Sequence, residues 1–178
     1  VQTCALPIFQ HLDAASYTSG STWNALVGGN ATLYASPTKG TSGQNSYMTF
    51  AAASKQYATI PNLGGLSNWT IEAWYYLNGS MASTITALVT SYAGTGDTQP
   101  INFCLGQGRA TTNYNIAAGY WNSTYSWNNA AGFMPSTGTW YQSVGTYDGS
   151  TITQYTNGIS INSLSVVCIS SDMIPRPR

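Results

Sequence analysis

The stretch Trp140-Tyr141-Gln142-Ser143-Val144-Gly145-Thr146-Tyr147-Asp148-Gly149-Ser150-Thr151-Ile152-Thr153-Gln154-Tyr155-Thr156-Asn157-Gly158 decides the fold. Residues 140–147 are rich in aromatic and β-branched side chains, which suit a pleated, half-buried surface. Asp148-Gly149 is a turn pair, because glycine tolerates positive φ and aspartate bonds its own backbone. In residues 151–156 Ile152 alternates with Thr151 and Thr153 as a second run. Asn157-Gly158 is another turn pair, and Ile159–Leu164 can return as a third strand. Such a meander needs a second sheet to cover it.

Upstream, further strands are expected at 47–53, 56–60, 69–77, 85–92, 101–107 and 114–120. On 69–77 the side chains of Trp69, Ile71, Ala73, Tyr75 and Leu77 share one face, and Thr70, Glu72, Trp74 and Tyr76 share the other. Segments 93–100 and 121–136 read as long loops. Residues 37–45, with Pro37, Gly40 and Gly43, read as a turn-rich linker. The lead from Phe9 to Lys39 carries weak signals, with a short turn at 23–26 and a short strand at 31–35. No stretch of ten or more residues holds a helical period, and many short strands at this spacing mean a sandwich or barrel.

Composition narrows the function. The chain has 178 residues, 43% of them hydrophobic, enough for one domain with a sizeable core. Charged residues make up 6%, against an ordinary ~25%, and the formal net charge is zero. Phosphate neutralisation therefore cannot dominate binding, which argues against nucleic acid as a partner. No apolar run reaches the ~18 residues of a membrane span, so no membrane insertion is expected. Cys4, Cys104 and Cys168 are odd in number, which argues against a closed disulfide framework. Cys104, inside Ile101-Asn102-Phe103-Cys104-Leu105, reads as a small buried hydrophobe. With His11 as the single histidine and no Cys-x-x-Cys, zinc is not expected. Sequons begin at Asn30, Asn68, Asn78 and Asn122. They are glycan attachment sites if the protein is exported by a cell with that machinery, and ordinary turn asparagines otherwise.

The ends read as foreign. Residues 1–8, Val-Gln-Thr-Cys-Ala-Leu-Pro-Ile, resemble one reading frame of a sequencing-library adapter, and 167–178 match another frame more loosely. Residues 1–8 are thus expected to be a non-native leader of a metagenomic fragment, and 167–178 a non-native or disordered tail.

Six short motifs then carry a resemblance. Tyr47-Met48-Thr49-Phe50, Tyr57-Ala58-Thr59-Ile60-Pro61, Trp69-Thr70-Ile71-Glu72-Ala73-Trp74, Gly138-Thr139-Trp140-Tyr141, Val144-Gly145-Thr146-Tyr147-Asp148-Gly149 and Tyr155-Thr156-Asn157-Gly158 occur in one order. Together they resemble the laminin-G-like domains of the concanavalin A-like lectin/glucanase superfamily. The resemblance implies an all-β fold, an antiparallel jelly-roll sandwich of two curved sheets, over 46–166. Residues 9–45 would be a loop-rich lead-in and edge strand. The lead Leu12-Asp13-Ala14-Ala15 with Trp23 is similar to what precedes such domains in phage and bacterial surface proteins.

The superfamily's functions range from sugar and protein binding to glycan hydrolysis, so the fold leaves function open. Glycoside cleavage needs two carboxyls about 5–9 Å apart, and the superfamily's glucanases carry several acids at alternate positions of one strand. Here Glu72 is the lone acid on its strand, Asp148 has a turn to make, and no catalytic residue is expected. Asp97 is the one candidate metal ligand, for Ca²⁺, with no other cofactor expected. The ligand-binding candidates are Trp121, Asn122, Tyr125, Trp127, Asn128 and Asn129, joined by Tyr92 and Asp97. Flat rings and directional amides suit a neutral carbohydrate. The reading is a non-enzymatic carbohydrate- or surface-binding adhesion module of a larger phage or bacterial surface protein. Its partner would be a glycan or cell-surface ligand, outside the cell, on its surface or on a virion. The alternative is a homo-oligomer or filament subunit that self-assembles through sandwich edges, which lack lysine gatekeepers.

Overall fold

The structure, a computed structural model, describes residues 8–63, 66–79, 87–91, 101–107, 115–121 and 127–166. The chain divides into two compact units, Val1–Leu63 and Gly64–Arg178.

The first unit holds β1 (Thr22–Trp23), β2 (Ala31–Tyr34), β3 (Thr38–Ser42), β4 (Asn45–Thr49) and β5 (Tyr57–Thr59). β1, β2 and β5 form an antiparallel sheet in the order β1-β2-β5, while β3 and β4 pair as a hairpin. The linker expected at 37–45 is therefore mostly strand. Gly43, with φ +61°, makes its turn, and backbone pairing from Thr38↔Thr49 to Ser42↔Asn45 overrides the weak strand propensity of glycine and lysine. In β2 Ala31 and Leu33 are buried and Thr32 and Tyr34 exposed, the alternation of a one-sided strand. Two long side chains tie the irregular segments down. Lys39 Nζ donates to the carbonyls of Ala15 (3.1 Å) and Tyr17 (2.9 Å). Gln56 Nε2 donates to those of Ala35 (2.7 Å) and Ser36 (3.0 Å), two non-glycine residues held at positive φ.

The second unit holds β6 (Trp69–Tyr76), β7 (Ala87–Thr90), β8 (Ile101–Gln107), β9 (Ile116–Trp121), β10 (Trp127–Phe133), β11 (Trp140–Tyr147), β12 (Thr151–Thr156) and β13 (Ile159–Ser165). They form two four-stranded antiparallel sheets, ordered β13-β12-β11-β6 and β10-β9-β8-β7. The sheets pack face to face: β9 meets β11 and β12, β10 meets β12 and β13, and β6 meets β7 and β8. This is the all-β sandwich expected. The meander is β11, β12 and β13, with the strand bounds that 140–156 announced. Asp148 Oδ1 accepts from the backbone N–H of Ser150 (2.8 Å) and Thr151 (2.7 Å). Asn157 (φ 50°) and Gly158 (φ 77°) make the next turn with two positive φ angles.

The core lies between the sheets. From β11 come Tyr141, Ser143, Gly145 and Tyr147, from β12 Ile152, Gln154 and Thr156, and from β6 Trp69 and Tyr75. The opposite sheet contributes Phe103, Leu105, Ile116, Ala118, Tyr120 and Ala130. Tyr147 joins the layers. Its ring lies 5.9 Å from that of Trp69 and 5.5 Å from that of Tyr120, and its hydroxyl donates to the Gly149 carbonyl at 2.9 Å. Gly145 is required where β11 packs on β9, since a Cβ there would lie 2.5 Å from Ala118 Cβ. Not all of this layer is hydrocarbon. Trp69 Nε1, Gln154 Oε1 and Thr156 Oγ1 are buried with no hydrogen-bond partner among the described residues. Cys104 is buried and free, and desolvation pushes its thiol pKa up to about 11 despite a hydrogen bond with Thr90.

Candidate ligand-binding face

The expected loop site divides. Asn122, Tyr125, Tyr92 and Asp97 lie outside the described residues. Trp121 ends β9, and Trp127, Asn128 and Asn129 begin β10. The expectation of a single loop over 121–136 is corrected here. Backbone pairing sets Trp127 opposite Trp121, Asn128 opposite Tyr120 and Asn129 opposite Gly119. The run Trp-Asn-Asn-Ala-Ala-Gly-Phe has little intrinsic strand preference, and pairing with β9 supplies what propensity does not. Two residues of β10 face one of β9 before Phe133, at a bulge where a Cβ on Gly132 would fall on the Ile116 carbonyl. Among the described residues no group of three or more His, Cys, Asp or Glu is placed to hold a metal ion.

A different constellation stands complete on the outer face of β6 and β11. The antiparallel register sets Tyr76 opposite Trp140, Trp74 opposite Gln142 and Glu72 opposite Val144. Alternation turns the neighbouring residues, Ala73, Tyr75, Tyr141 and Ser143, toward the other sheet. Three aromatic side chains are thereby left in solvent on one face: Trp74 is 63% exposed, and Tyr76 and Trp140 are each 40% exposed. The Tyr76 and Trp140 rings form a cross-strand pair, with centroids 5.6 Å apart and planes tilted by 51°. Trp74 stacks on no other ring among the described residues.

Glu72 organises the polar half of the face. Its Oε1 accepts from Trp74 Nε1 at 3.0 Å and from Gln142 Nε2 at 2.7 Å. The first bond fixes the indole along its own strand, and the second bridges to β11. Gln142 is itself held by the next turn: its backbone N–H donates to Asn157 Oδ1 (2.9 Å), and its carbonyl accepts from the Asn157 N–H (2.9 Å). Both hydrogen bonds from the described residues fall on Oε1 of this exposed side chain, and none falls on Oε2. Among the described residues of this unit no second carboxyl is at hand. Asp148 lies four residues beyond Val144, about 13 Å along the strand, with its carboxyl engaged by the turn. A glycosidase pair sits roughly 5–9.5 Å apart.

Sequence reading placed Glu72, Trp74 and Tyr76 on one face of a strand but weighed Glu72 only as a catalyst. The candidate face is completed by the register, which brings Trp140 and Gln142 beside them from about 70 residues away.

A family profile described as the Concanavalin A-like lectin/glucanases superfamily, of the laminin G type, matches residues 42–169. The match begins in β3 and runs past the end of β13. Neither the curated proteins nor the solved structures returned a match.

Proposed function

The chain belongs to the Concanavalin A-like lectin/glucanases superfamily, and from that premise we propose that it is a non-enzymatic extracellular module that binds carbohydrate on Trp74, Tyr76 and Trp140. The single observation behind this reading is the exposed Trp74 ring, braced by Glu72 beside the Tyr76–Trp140 pair. Pyranose rings have an apolar face that packs on an indole, and their hydroxyls match the acceptor of Glu72 and the amide of Gln142. A single carboxylate on this face among the described residues supports binding over hydrolysis. A module of this kind fits an adhesion role within a larger phage or bacterial surface protein, where repeated copies would raise weak single-site affinity.

Titration calorimetry with neutral glucan, mannan and xylan oligosaccharides tests the reading. Binding that falls about tenfold or more in Trp74→Ala and Trp140→Ala supports it, as expected for removing a central aromatic anchor. Absence of binding to every oligosaccharide would overturn it.

One observation favours a second reading, a filament or appendage subunit. β13 is an edge strand exposed along its whole length, with no charged residue or proline between Ile159 and Ser165. Such an edge lacks the usual guards against strand addition. Filaments in negative-stain micrographs, together with no glycan binding, would favour it.

A further inference from the structure

Glu72 gives the proposed face a sign. Its two hydrogen-bond donors, the Trp74 indole and the Gln142 amide, are neutral, so they hold the carboxylate without cancelling its charge. Among the described residues from 66 to 166, Glu72 and Asp148 are the charged side chains, and none is basic. Among those residues the aromatic platform therefore carries one negative charge with no basic side chain to offset it, on an exposed glutamate whose Oε2 accepts no hydrogen bond from them, and the ring faces beside it also attract cations. An anionic sugar laid on Trp74 would bring like charges together, a neutral sugar would only hydrogen-bond, and a sugar bearing an ammonium group would gain an ion pair.

We propose that this face selects amino sugars: a pyranose stacks on Trp74 while its ammonium group pairs with Glu72 Oε2. The assignment rests on the carbohydrate-binding reading and adds to it the class of sugar. The contrast among ligands comes from charge complementarity, so it is larger at low ionic strength and fades with salt.

Calorimetric titrations of the whole chain with three oligomers of equal length decide the point: fully deacetylated glucosamine oligomers, their N-acetylated counterparts, and oligogalacturonate. The deacetylated oligomer is expected to bind about fivefold more tightly than the acetylated one at low salt, the upper end for an exposed ion pair. Oligogalacturonate is expected to bind weakest. Glu72→Gln keeps an acceptor for Trp74 and Gln142 while removing the charge, and should bring the deacetylated and acetylated oligomers to equal affinity. Equal affinity for all three in the unaltered protein, or a preference that survives Glu72→Gln, overturns the amino-sugar assignment but leaves carbohydrate binding standing. Failure to bind any of the three or any neutral oligosaccharide overturns the carbohydrate reading itself.

Discussion

On β6 and β11 aromatic rings alternate between a face where Trp69, Tyr75, Tyr141 and Tyr147 are buried and a face where Trp74, Tyr76 and Trp140 stand in solvent. The inner rings pair with each other, and two of them also reach across the sandwich. Tyr147 meets Tyr120 of β9, and Tyr141 meets Phe133 of β10 at 5.1 Å. Of the outer rings, Tyr76 and Trp140 pair with each other within their own sheet, and Trp74 is fixed by a carboxylate and stacks on no ring among the described residues. Packing explains the inner set completely. On the outer face it explains the Tyr76–Trp140 pair, as a cross-strand contact, but not why a tryptophan is held in the open beside it.

Truncation separates the two faces most sharply. Tyr147→Ala should remove about 3–5 kcal/mol of stability, because the cavity is closed in by both sheets, whereas Trp74→Ala should change it by no more than ~0.5 kcal/mol. Urea unfolding of the two variants measures the contrast, and equal losses would mean that Trp74 is a packing residue. Alkali discriminates next. Cys104 stays neutral in the fold up to about pH 11, while in the unfolded chain it ionises from its ordinary value of 9.0. Its stabilising margin is intact below 9.0 and is lost as pH rises through about 11, a change on the order of 2–3 kcal/mol. Cys104→Ala should remove that part of the alkaline slope in a pH series of denaturation curves, leaving any part due to Tyr75, whose hydroxyl pKa burial also raises. The smallest expected effect is a gain. Thr156→Val replaces a buried hydroxyl without a partner by a methyl group of the same shape, and should raise stability by about 1 kcal/mol.

What the sequence disclosed follows from how local each signal is. β11, β12 and β8 keep the bounds that their composition announced, because β-branched and aromatic runs between turn pairs are local patterns. β10 and β3 were hidden, since Asn128, Asn129 and Ala130, like Gly40 and Ser42, take up strand geometry only when a neighbour pairs with them, while β4 fell partly within the strand expected at 47–53. The candidate site was half legible. Alternation alone put Glu72, Trp74 and Tyr76 together, but joining them to Trp140 and Gln142 required the β6–β11 register, which no local pattern encodes.

The turn at Asn157-Gly158 has a consequence for the energetics of recognition. Asn157 grips Gln142 by both backbone groups, Gln142 holds Glu72, and Glu72 holds the Trp74 indole. The ring and its acceptor are thus held in position in the free protein, and little side-chain rotamer freedom would be left to surrender to the proposed ligand. Loosening that chain at Asn157→Ala, which leaves Glu72, Trp74 and Gln142 themselves unchanged, should appear in calorimetry as a larger entropic penalty with little change in enthalpy.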